Sequence, residues 1–173
     1  DQLTNEVQGA TLNGKLFLAY ATVANNRLHC YDPSLATPQV RRVGLAVSGP
    51  PTVADTGAGA YAATIRYYKQ DTIQLDGTRV VRRSELSATS VTFTPSGTGT
   101  AARVTRGAFP GEQETHWRVW GSSDNTTFYN ISGNIAISTT TYDDSALVST
   151  YSGNTAMDVA GTYALIGQAP RYL

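Results

Sequence analysis

Nucleophilic catalysis needs a Ser or Cys beside a base. The chain offers only two histidines, His29 and His116, as neutral bases. His29 adjoins the single cysteine, Cys30. Neighbours along a strand point to opposite faces, so these two do not pair there. No Gly-x-Ser-x-Gly elbow occurs, and Cys30 reads as a small buried apolar residue. Two carboxylate pairs have the residue types that acid–base or glycoside chemistry uses. Glu112 and Glu114 follow Phe109-Pro110-Gly111, and Asp143-Asp144 close a strand. The first pair reads as decoration of a solvated turn. The second reads as a strand terminator bonding local backbone amides. Asp143-Asp144 also cluster oxygens of the kind calcium takes, but no EF-hand spacing surrounds them. No residue is therefore assigned a catalytic, cofactor-binding or metal-binding role. The chain is expected not to be an enzyme and to need no cofactor.

Eleven of the thirteen basic residues are arginine. Arg41-Arg42 and Arg82-Arg83 are doublets, and Arg79, Arg103 and Arg106 add to them. Arginine contacts phosphate bidentately. Against that, Lys+Arg is 13 and Asp+Glu is 13, for a net charge of +0, which argues against nucleic acid or an anionic membrane as partner. The arginines read instead as a solvated sheet face or as Arg–carboxylate pairs between subunits. Gly57-Ala58-Gly59 and Gly97-Thr98-Gly99 lead into no helix and lack the phosphate-loop ending. Tyr68 and Trp120 fall on strand faces opposite the expected core. Exposed aromatics there stack on sugars or pack on protein. Tyr68, Arg82, Arg83, Arg118 and Trp120 form the candidate contact surface. Asn125-Thr126-Thr127 and Asn130-Ile131-Ser132 match the glycosylation sequon but read as Thr-rich turns.

The elements that carry these residues are strands. Thr and Ser number 24 and 13, whereas Glu and Lys number four and two, which disfavours helices and points to an all-β protein. A hydrophobic fraction of 40% suffices for a core. One cysteine excludes an intrachain disulfide and any multi-Cys metal cluster. Asp1-Gln2-Leu3 lacks a Met and a basic region, so the chain is expected to be a piece of something longer. Residues 15–24 mimic a signal peptide, but Asp1 and Glu6 precede them and the run is strand-like. No stretch reaches the roughly 18 apolar residues of a membrane helix.

Asn13-Gly14 predicts a two-residue hairpin turn into Lys15–Tyr20, paired with Arg27–Asp32. Gly49-Pro50-Pro51 predicts a boundary. A long strand is expected over Tyr61–Gln70, with Tyr61, Ala63, Ile65 and Tyr67 inward. Asp76-Gly77 predicts the next hairpin, into 78–83. Further strands are expected at 91–93, 101–105, 115–121, 128–131, 135–137 and 139–142. Strands every eight to twelve residues, split by Gly, Pro and Asn, predict a β-sandwich. Its expected core is Ile65, Tyr67, Val91, Phe93, Trp117, Val119, Ile135 and Ile137.

Tyr61–Tyr68 followed by Val81–Ser87 resembles a fibronectin type III-like pattern. So does Thr115–Ser122 followed by Phe128-Tyr129 and Thr140–Asp144. This version resembles the immunoglobulin-like sandwich of tailed-phage virion proteins. Leu12–Tyr20, Asn26–Asp32 and Arg41–Leu45 resemble propeller-like strands of phage tail nozzle or head–tail stabilisation proteins, though the chain is too short for a full propeller. The resemblance implies a hairpin segment at 1–45, a fibronectin type III-like β-sandwich at 46–149 and a return segment to the propeller-like part at 150–173. It also implies a non-enzymatic bacteriophage structural protein located in the virion. Its sandwich is a spacer or contact module, with other virion proteins and copies of itself in a ring as partners. The alternative from another class is a secreted carbohydrate-binding accessory module using exposed Trp120 and Tyr68. Residues 1–44 and 150–173 are expected to meet in space, with 163–166 pairing to part of 12–32.

Overall fold

The computed structural model describes residues 7–20, 28–36, 38–56, 63–88, 90–95 and 101–157. They fall into two compact units, 7–44 and 45–157. The first is one antiparallel sheet in chain order, β1 (Val7–Leu12), β2 (Lys15–Tyr20), β3 (His29–Tyr31) and β4 (Val40–Arg42). Leu12 faces Lys15 across Asn13-Gly14. Both turn residues have positive φ, 50° and 74°. A type I′ turn demands this at both positions, and Asn and Gly tolerate it best. Register puts Leu16 opposite Tyr31 and Phe17 opposite Cys30. Consecutive strand residues alternate, so apolar side chains lie on both faces of this sheet. Leu16, Phe17 and Leu18 stay half-buried among the described residues. Lys15 pairs with Asp32 at 2.8 Å. That bond, with those from Ser34, holds the Asp32 carboxyl well below the usual carboxylate range.

The second unit holds nine strands in two sheets. β5 (Thr52–Asp55), β9 (Ala102–Thr105) and β13 (Thr141–Asp144) form a three-stranded sheet with β9 central. β6 (Arg66–Asp76), β7 (Arg79–Arg83) and β10 (His116–Ser122) form the main path of a six-stranded sheet. β8 (Val91–Phe93) joins β6, while β11 (Tyr129–Asn130) and β12 (Ile135–Ala136) join β10. The Asp76-Gly77 signal yields the β6–β7 hairpin, with Gly77 at φ 59° and Asp76 facing Arg79. Tyr68, Trp117 and Val119 of the larger sheet meet Ala102 and Val104 of the smaller one. Phe93, Ile135 and Ile137 pack around that cluster. The all-β expectation holds. Residues 163–166 and Tyr61 lie outside the described residues.

Two expectations about this unit are corrected. Residues 150–157 belong with the sheets rather than with a return segment. A short 3-10 helix, Val148–Gly153, buries Tyr151, and Ala156 bridges to Tyr129. The inward face of β6 is also the opposite of the one expected. Ile65 precedes the strand and is 42% exposed, while Arg66, Tyr68, Gln70 and Thr72 turn inward. Apolarity along the strand marks the face of Ile65 and Tyr67, whereas the face that turns inward carries the polar Arg66 and Gln70. Inside, Gln70 Oε1 accepts from Gly107 N at 2.8 Å, and Arg66 meets a buried carboxylate. A buried polar group with partners no longer opposes burial.

Candidate functional site

The residues of the candidate contact surface separate into three places. Arg83, Arg118 and Trp120 converge on the outer face of the larger sheet, around Asp71 at the middle of β6. Strand register makes this possible: Asp71 faces Arg118, Lys69 faces Trp120, and Ile73 faces Arg83. Arg83 Nε donates to Asp71 Oδ2 at 3.0 Å, and Arg118 Nε donates to Oδ1 at 3.0 Å. Arg118 Nη2 also donates to Oδ2. Trp120 Nε1 completes the set at 2.8 Å from Oδ1. Both guanidinium carbons lie over the indole, 5.2 Å and 5.1 Å from its centroid. Asp71 is fully buried and Trp120 nearly so. The expectation of an exposed Trp120 is thus wrong: a carboxylate at the indole N–H and two arginines over the ring remove it from water.

Tyr68 lies on the inner face and is fully buried, again contrary to expectation. Its hydroxyl donates to Asp144 Oδ2 at 2.7 Å. Tyr151 donates to the same oxygen, and Arg66 Nη1 lies 3.5 Å from it. Arg66 also donates to Ala146 O at 2.8 Å. This second node ties β6, β13 and the 3-10 helix together. Arg82 occupies a third place, largely buried, donating to Glu112 O at 2.8 Å and Gln74 Oε1 at 3.3 Å. A sugar platform built on Tyr68 and Trp120 has neither ring available.

The carboxylate pairs are also redistributed. Asp143 forms an exposed fork with Arg103, two bonds of 2.7 Å. Asp144 does bond a local amide, Ala146 N at 3.0 Å, but most of its partners are distant in sequence. Glu112 Oε2 accepts from Ala46 N at 3.0 Å. Glu114 is not on a solvated turn. It is 7% exposed, and both its oxygens are buried without a hydrogen-bond partner. Such a group costs stability. Glu114→Met, similar in length and apolar, is expected to raise stability by about 1–3 kcal/mol. An unchanged or lowered urea midpoint at constant m would refute this. Among the described residues, no group of three or more His, Cys, Asp or Glu could hold a metal ion. No described helix is long and apolar enough to cross a membrane.

Burial and the nearby Asp144 carboxylate push the hydroxyls of Tyr142 and Tyr151 up to about 12. An unfolded tyrosine ionises near 10. A group raised in the fold stabilises it fully below its unfolded value, and that contribution fades as pH climbs from about 10 towards about 12. Alkaline titration is therefore expected to unfold the chain in that window. Part of the tyrosinate absorbance should appear only as the β signal in circular dichroism is lost. Complete ionisation before any loss of that signal would contradict the assignment.

Sequence reasoning missed Asp71, Asp144 and Tyr151 as the anchors of these nodes. One signal was available for Asp71: a charged residue amid Gln70 and Thr72 in a long strand needs cross-strand partners on its own face. Compared with protein-family models, curated proteins and solved structures, the chain matches none.

Proposed function

We propose that this chain is a non-enzymatic structural component of a bacteriophage virion, in a tail or at a head–tail joint. A fibronectin type III-like sandwich serves as its spacer and contact module, inserted in a propeller-like body. One observation carries the reading. Leu45 N, at the start of the sandwich unit, donates to Arg83 O at 3.0 Å. Met157, at its far end, receives a bond on Sδ from Arg83 Nη2. The incoming and outgoing segments thus meet at one residue. A domain whose ends leave from one place inserts into a surface loop of another body without disturbing it. The four-stranded meander with apolar residues on both faces adds support, because a propeller blade has a neighbour on either side. Partners on this reading are other virion proteins and further copies in a ring. Gold-labelled antiserum against the chain is expected to decorate the tail or neck of tailed particles purified from its source. Particles without gold, with the chain free in the medium, would overturn the reading. So would a glycosidase or esterase activity abolished by Glu112→Gln or Glu114→Gln.

A further inference from the structure

From the Asp71 node, and resting on the reading of the sandwich as a contact module, we infer that Arg83 and Arg118 form a receptor for a carboxylate on an acidic segment of a partner protein. Charge is the first ground. Two guanidinium groups share one carboxylate, so the node keeps one positive charge in excess. Donor capacity is the second. Arg83 is engaged through Nε and Nη2, and Arg118 through Nε and Nη2, which leaves the Nη1 group of each without a protein partner. The two side chains keep 19% and 12% of their surface in solvent. Arginine's planar fork presents paired N–H groups in the geometry a carboxylate accepts.

Preorganisation is the third ground. An ordinary surface arginine loses rotamer freedom when it binds, at about 0.5–1.5 kcal/mol for each immobilised side chain. Here Asp71 and the Trp120 ring already fix both side chains, so that cost falls on folding instead. Among the described residues, Asp71 is the one acid paired with them. The Glu114 carboxylate, two residues before His116, is buried and makes no hydrogen bond to either arginine. Lys69, opposite Trp120 in register, donates to Ala88 O at 3.2 Å and stacks on Phe128 at 5.1 Å. A single surplus charge suits one carboxylate. A phosphate backbone needs a row of cations to release its counterions, and the zero net charge supplies no such field.

The indole Nε1–H of Trp120, bonded to Asp71, reports directly on the node in a nitrogen–proton NMR spectrum of the full chain. The Trp117 indole N–H, bonded to Thr139 O inside the core, is the internal control. Hexaglutamate peptide is expected to shift the Trp120 signal saturably and to leave Trp117 in place. Affinity is expected to fall at least fivefold in Arg118→Gln and in Arg83→Gln, and less in Arg118→Lys. Hexaglutamine, of equal length and uncharged, is expected to give no shift. This comparison needs only the parent chain, so it decides the matter even where a variant folds poorly. An absent shift, an equal response to hexaglutamine, or a stronger response to oligothymidine would overturn the proposal. Binding is read on the purified chain, so its failure is distinct from finding no gold on particles.

Discussion

Trp117→Ala is expected to destabilise the sandwich unit by about 3–5 kcal/mol, the usual cost of emptying a large aromatic site in a core. Trp117 is fully buried on β10, facing Thr72 of β6 on one side and Ile135 of β12 on the other. Its apolar neighbours come from both sheets, so no single segment can slide in to fill the space. The indole N–H also donates to Thr139 O at 2.8 Å, anchoring the connection between β12 and β13. For a unit of this size the loss corresponds to a fall in melting temperature of roughly 10–25 °C. Trp117→Phe keeps most of the burial and loses the hydrogen bond, so it should fall between parent and alanine variant. A thermal melt of Trp117→Ala that overlays the parent would remove Trp117 from the core.

What was legible in the sequence was what neighbours along the chain decide. Asn13-Gly14 and Asp76-Gly77 announce their turns because Asn13, Gly14 and Gly77 take up the left-handed conformation by their own chemistry. Trp117 and Val119 announce an inward face because β10 alternates cleanly. β6 defeated the same method. Both its faces are covered, so polarity along it does not mark solvent. Its buried polar groups are settled by partners far away: Asp71 by Arg118, 47 residues on, and Tyr68 by Asp144, 76 residues on. Of the candidate contact residues, strand register brings Arg83, Arg118 and Trp120 side by side, whereas Tyr68 turns to the inner face and Arg82 lies apart. Gly121 shows a subtler limit. A Cβ there would lie 2.7 Å from Tyr151 Cε2, so the glycine is a seat for a ring that arrives from thirty residues later. Nothing beside Gly121 in the sequence marks that.

The inner node should respond to mutation in a way that a simple sum of contacts does not predict. Asp144→Ala removes the acceptor for Tyr68 and Tyr151 and the buried counter-charge of Arg66, whose side chain is wholly out of solvent. Breaking a buried ion pair from one side typically costs about 3–5 kcal/mol, because the remaining charge has lost its hydration and its partner together. Arg66→Met is expected to be damaging for the mirror-image reason, taking the Arg66 counter-charge away from the buried Asp144 carboxylate. The double variant Arg66→Met/Asp144→Leu should be milder than the sum of the two. Neither charge is then left behind, and apolar residues of similar volume replace them. Urea unfolding of all four chains measures the coupling directly. Singles that add up in the double variant would show that Arg66 and Asp144 act independently. A double variant close to the parent would show that the node contributes little net stability and mainly selects how the 3-10 helix and Tyr151 seat against β6.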